Sequence, residues 1–163
     1  MHLWLIRHAD ALPSPRADGD FARRLSPRGT ADALRIARWL ERGGHRVDSL
    51  VSSDASRARE TAAALAPGFA LAASAVRSDH RLYNASVAAI VGVVREAPSA
   101  CRSLAVVGHN PGISAIVRLL TDDPATRPLP TLGIARLEIA VDWSAIESGC
   151  ASLALYLDPA TID

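Results

Sequence analysis

Short apolar runs alternating with helix-patterned segments constrain this chain more than any other feature. Leu3, Trp4, Leu5 and Ile6 form the first, a run of strand-favouring residues that stops at a cation and an imidazole, Arg7 and His8. A second short strand is expected over 47–52, a third with a loop within 71–81, and a fourth, buried one over 104–107. Between them lie helix signatures. Ser26 as N-cap and Pro27 at the first helical position open a helix to about Arg42, with Ala33, Ile36, Ala37 and Leu40 on its apolar face and Gly43-Gly44 as its stop. Ser53 and Asp54 are candidate caps for a second helix that ends before Pro67-Gly68. Val87, Ile90, Val91 and Val94 mark a third helix, closed by Pro98, and Asn110-Pro111 cap and open a fourth that runs to Leu120. Two alternating strands follow, with Ala135, Leu137, Ile139 and Val141 on one and Ala151, Leu153, Leu155 and Leu157 on the other, joined by a turn around Ser148-Gly149. This order predicts a three-layer α/β/α sandwich, its sheet mostly parallel with antiparallel C-terminal strands, in a single domain over 1–163.

Composition narrows the function classes. A chain of 163 residues, 49% hydrophobic, is large enough to bury a proper core without staples. Cys101 and Cys150 match no metal-ligand spacing and are too few for a disulfide framework, which points to a reducing compartment. A formal net charge of +1 provides no broad basic field for nucleic acid. All 18 basic side chains are arginines, whose planar fork suits phosphate oxygens better than an ammonium does. No apolar run approaches the ~20 residues of a membrane span, and no targeting segment is expected before the first strand. The expected location is cytoplasmic.

Three strand-to-helix junctions carry the chemistry. Arg7-His8 ends the first strand, Arg57 lies in the first turn of the second helix, and His109 sits where the fourth strand hands over to its helix. In a parallel sheet these junctions share one edge, the edge where open α/β sheets bind ligands. Any one of them has an ordinary reading, as a solvated arginine or a tight-turn histidine. Together they form a set that can hold the oxygens of a phosphoryl group while a neutral His8 attacks phosphorus. The chain has no Walker loop, G-x-S-x-G elbow, H-E-x-x-H or cysteine-based phosphate motif.

At these positions the sequence resembles the histidine phosphatase superfamily, whose members share the phosphoglycerate mutase-like fold. The family's R-H-G appears as Arg7-His8-Ala9, its S-x-x-x-R-A-x-x-T as Ser53 to Thr61 with Arg57 in the arginine position, and its G-H as Gly108-His109. The helix start Leu25-Ser26-Pro27-Arg28-Gly29, the segment Leu82-Tyr83-Asn84-Ala85 and Gly108-His109-Asn110-Pro111 resemble the SixA-type phosphohistidine phosphatase branch most. The resemblance implies that His8 is the nucleophile that becomes phosphohistidine, Arg7 and Arg57 are phosphate ligands, and His109 completes the pocket. The nucleophilic imidazole must be neutral, so a backbone acceptor has to fix its tautomer. No cofactor or metal is expected, and inorganic phosphate is the product.

Two departures from the family pattern bear on mechanism. Ala9 replaces the usual glycine, a change of small cost provided the residue is not at positive φ. Larger members carry an acidic proton donor after the third strand, and here Asp79 is the candidate. The connections over 11–25, marked by Pro13, Pro15 and Gly19, and over 77–85 are short, with no insertion to cap the pocket. An uncapped pocket admits a protein side chain, so the expected partner is a phosphorylated protein such as a histidine phosphotransfer domain. A small phosphoester, sugar or aryl phosphate, is the alternative substrate. A non-catalytic phosphate-binding module and a mutase are the weaker readings.

Overall fold

The computed structural model describes residues 1–14, 19–72 and 75–162. Ten main elements follow in order: β1 (His2–Arg7), α1 (Pro27–Arg42), β2 (Ser49–Ser52), α2 (Ser56–Leu65), β3 (Val76–Ser78), α3 (Val87–Arg95), β4 (Ser103–Gly108), α4 (Gly112–Thr121), β5 (Ile134–Ile139) and β6 (Ala151–Leu157). They build one six-stranded sheet in the order β3-β2-β4-β1-β5-β6. The strands β3, β2, β4 and β1 run parallel, and β5 and β6 are antiparallel, as the sequence pattern predicts.

Strand alternation divides the interior into two layers. Leu3 and Leu5 of β1 face a core built with Leu104 and Val106 of β4, Ile90 and Val94 of α3, and Ile113, Ile116 and Leu120 of α4. Trp4 and Ile6 face the other side, against Ala33, Ile36 and Leu40 of α1 and Ala58, Ala62 and Leu65 of α2. A strand covered on both faces reads as an unbroken apolar run, which is why 3–6 and 104–107 carry no polar alternation.

The helix α1 starts as expected, with the Ser26 hydroxyl accepting from Gly29 N–H at 2.9 Å. Gly29 is fixed by close approach, since a Cβ there would strike the Asp10 carbonyl. Two other caps are not formed. The N-cap of α2 is Ala55, which has no side chain to cap with, and α4 starts at Gly112 rather than Pro111, after a cis Asn110-Pro111 bond. The Asn110 side chain instead donates to the Leu129 carbonyl and accepts from Ser114. In α3, Ile90, Val93 and Val94 are buried while Val87 and Val91 are only half so, a rotation that brings in Val93. The second strand starts at Ser49 rather than at Val47, and the third keeps only three residues of the 71–81 stretch, of which Ala73 and Ser74 lie outside the described residues. Pro15 of the first loop also lies outside them.

Candidate active site

Parallel order places the carboxyl ends of β2, β4 and β1 side by side, and backbone hydrogen bonds carry the pairing past the strands. His8 N–H donates to the Gly108 carbonyl at 3.1 Å and Ser53 N–H to that of Val107 at 2.9 Å. His8, Ser53 and His109 therefore leave the sheet together, and α2 adds Arg57 from its first turn.

Arg57 is 3% exposed and joins the cluster through three edges of its guanidinium. Its Nε donates to Nε2 of His8 at 3.2 Å, one Nη meets Nδ1 of His109 at 3.2 Å and Oδ2 of Asp20 at 3.0 Å, and the other donates to the Asp20 carbonyl at 2.6 Å. These contacts assign the tautomers, because an arginine only donates. His8 keeps its proton on Nδ1 and gives it to the Ala9 carbonyl at 2.7 Å, leaving the Nε2 lone pair to accept from Arg57. His109 carries its proton on Nε2, donating to the buried Ser53 hydroxyl at 2.8 Å. The two imidazoles stand 5.0 Å apart, centroid to centroid.

Electrostatics keep both rings neutral. Burial, then the charges of Arg57, Arg7 and Arg23, push His8 down to about 4 against the opposing pull of the Ala9 carbonyl. Burial, with His8 and Arg57 beside it, pushes His109 to about 3. A neutral imidazole beside arginines has the chemistry to attack a bound anion. Arg7 donates to the Leu129 carbonyl at 3.2 Å, and its buried Nε has no hydrogen-bond partner among the described residues.

Thr61, the last residue of the S-x-x-x-R-A-x-x-T motif, explains its own place there. Its hydroxyl donates to the Arg57 carbonyl at 2.7 Å and accepts from Ala9 N–H at 3.0 Å, so α2 holds the residue whose carbonyl orients His8. Ala9 is fully buried and is not among the positive-φ residues, so the loss of glycine costs no strain.

The structure brings His8, Arg57 and His109 into contact with one another, with Arg7 flanking them. Asp79 has no contact with them. Its carboxylate receives Arg81 Nε and Nη2, at 3.1 and 2.7 Å, and the same arginine pairs with Glu96. Those bonds from Arg81 hold Asp79 below the ordinary carboxylate range, which favours its ionised form. The carboxylate at the pocket belongs to Asp20, which sequence reasoning missed. Its Oδ2 accepts from the Tyr83 hydroxyl at 2.8 Å as well as from Arg57, and its Oδ1 pairs with Arg23 at 3.0 Å. Burial opposes ionisation there, yet Tyr83, Arg23 and Arg57 hold the group down at about 2. Tyr83 lay inside a motif already singled out, whereas the signal for Asp20 was no more than an acid in the loop after Arg7-His8. Among the described residues no group of three His, Cys, Asp or Glu side chains is placed to hold a metal ion.

The comparisons agree with this geometry. The model of the histidine phosphatase superfamily (branch 1) matches residues 3–97. The chain belongs to this superfamily. An uncharacterised protein of Mycobacterium tuberculosis is 34% identical over 91% of this chain and 96% of its own. SixA of Nakamurella multipartitia superposes with a TM-score of 0.82 at 32% identity, covering 97% of this chain and 95% of that one. SixA of Agrobacterium tumefaciens does so with 0.77 at 27%, covering 97% of each. Both are assigned by name to the phosphohistidine phosphatases. The chain is thus of the SixA-type branch, and its activity class is that of a phosphatase. Among the described residues no helix is long and apolar enough to cross a membrane.

Proposed function

We propose that this chain, as one catalytic domain over 1–163, removes phosphate from phosphohistidine carried on a protein, through a covalent phosphohistidine formed on its own His8. The observation that carries the reading is the His8 ring, locked by the Ala9 carbonyl with its Nε2 lone pair turned to the Arg57 guanidinium. Likeness to two structures named for phosphohistidine phosphatases supports the substrate class. Arg7 and Arg57 bind the phosphoryl oxygens, and their charge offsets the charge that gathers on those oxygens in the transition state. His109, its ring held between Arg57 and Ser53, lines the phosphoryl site beside His8 as a neutral imidazole. Water then attacks the phosphorus on His8 from the side the leaving group vacated, releasing inorganic phosphate.

The test uses a histidine phosphotransfer domain phosphorylated on its histidine. Phosphate release by the wild-type chain, with a phosphoryl adduct on His8 seen by intact mass without acid quenching, is the expected result. Binding without release would make the chain a phosphate-binding module. Release from sugar phosphates in preference to phosphohistidine would make it a small-molecule phosphatase.

A further inference from the structure

Asp20 is an ionised carboxylate paired with Arg57 beside His8 and His109, the cluster proposed to meet an anion. Its side chain is 42% exposed while that of Arg57, its partner, is 4% exposed. One guanidinium therefore separates the nucleophile from a carboxylate that an incoming molecule can touch. Asp20 is also built in rather than draped. Tyr83 donates to Oδ2, Arg23 pairs with Oδ1 while bonding the Leu12 carbonyl at 2.6 Å, and Phe21 packs edge-on against Tyr83 with ring centroids 5.1 Å apart. Ser56 N–H, at the start of α2, donates to the Phe21 carbonyl at 3.1 Å. A phosphate ester gains nothing from a fixed negative charge here, since its leaving oxygen departs as an anion and an ionised acid has no proton to give.

A phosphorylated imidazole is different, because its second ring nitrogen can carry a proton. We propose that Asp20 selects imidazole leaving groups by accepting a hydrogen bond from that distal N–H, so that the substrate reacts as the phosphoimidazolium. This rests on the phosphohistidine reading above and adds the residue that enforces it. The Nε2 lone pair of His8 forms the bond to phosphorus as the P–N bond breaks. The bonding pair returns to the departing ring nitrogen. With the distal N–H retained, the product leaves as neutral imidazole, and no proton from the protein is required. Asp20 stays ionised throughout, which agrees with the three donors around it.

The experiment measures kcat/KM for phosphoimidazole and for an aryl phosphate with wild type and Asp20→Asn, and compares their ratio. The active fraction of each preparation cancels in that ratio, and Asp20→Ser supplies it if the Asn variant does not fold. The ratio of phosphoimidazole to aryl phosphate is expected to fall about 10–100-fold, the range for one hydrogen bond to a charged group. A ratio that is unchanged, or that rises because the ester suffers more, overturns the inference and makes Asp20 a support for Arg57 or an acid for esters. Wild type failing to cleave phosphoimidazole would instead defeat the phosphohistidine reading itself.

Discussion

The pocket has a wall and a rim, and they are made in different ways. The wall is His8, Arg57 and His109, set on the ends of β1, β4 and the first turn of α2, with Arg57 and His109 almost fully buried. The rim is Asp20, Phe21 and Tyr83, set on connections that meet through ring packing and hydrogen bonds. Wall residues inherit their positions from the sheet, so their spacing is as rigid as the backbone pairing beneath them. Rim residues hold one another. On the proposed function, the wall performs the chemistry and the rim decides what reaches it.

The wall should fail completely when its nucleophile is lost. His8→Ala is expected to lower kcat by roughly 10³ or more, the scale for removing a covalent nucleophile, with folding little changed. Retention of kcat within tenfold on an aryl phosphate would end the nucleophile assignment. Arg57→Ala should cost roughly 3 kcal/mol of transition-state stabilisation, on the order of 10²-fold in kcat/KM. Lysine should rescue it poorly, because one ammonium cannot span His8, His109 and Asp20 as the guanidinium does. Equal activity of Arg57→Lys and wild type would show that the fork is not needed.

The neutral histidines make the wall sensitive to acid in a definite direction. His8 lies near 4 against an ordinary imidazole value of 6.5, so kcat/KM corrected for substrate ionisation should hold at pH 5, where an unperturbed histidine would already have cost about 30-fold. Stability moves the other way. Between pH 6.5 and about 4 the unfolded chain binds protons that the folded His8 and His109 refuse, so the folded state weakens as pH falls through that window. Above 6.5 the two rings contribute no pH dependence. Urea midpoints at pH 7 and 5 check this, and the acid loss should shrink in His8→Asn.

How far the molecule could be read in advance follows the same division. The lengths of the apolar runs fix where each strand ends, and Arg7, His8 and His109 are legible because they stand next to those ends. Thr61 was legible as part of a motif, although its two hydrogen bonds to the backbone were not. Asp20 was not readable, because the 11–25 loop has no periodicity and its place depends on Phe21 meeting Tyr83, 62 positions along the chain. Ser53 and Asn110 carry the local signal of helix caps, yet the N-caps are Ala55 and Pro111. Tertiary partners claimed both side chains, His109 taking Ser53 and the Leu129 carbonyl taking Asn110. In each case a local preference worth about 1 kcal/mol lost to a buried group that had to be satisfied.

Ser53 then gives a smaller test of the wall. Its hydroxyl is fully buried and accepts the His109 proton, so Ser53→Ala leaves that N–H without its partner and lets the ring turn. About a tenfold loss of kcat/KM is expected, the scale of one buried hydrogen bond. Because Ser53 acts through His109, the loss should vanish in a His109→Ala background, and a full additional loss there would mean that Ser53 meets substrate directly.

The smallest effect belongs to Asp79, outside both wall and rim. A proton donor must carry a proton at working pH and reach the leaving group. Asp79 is engaged by Arg81 instead. Both of its oxygens are engaged by Arg81, Oδ1 also accepts from the Arg81 N–H at 2.9 Å, and these bonds keep it ionised. Its position beside β2 comes from a backbone bond, Asp79 N–H to the Ser52 carbonyl at 2.8 Å, which any residue but proline can make. Asp79→Asn is therefore expected to keep kcat/KM within about twofold on alkyl and aryl phosphates alike, since no general-acid contribution of 10²–10⁴-fold is there to be lost. The comparison between leaving groups is what decides it. A loss of tenfold or more confined to the alkyl phosphate would place a working acid at Asp79, extend the pocket past Tyr83, and shift the chemistry from phosphoimidazole towards esters.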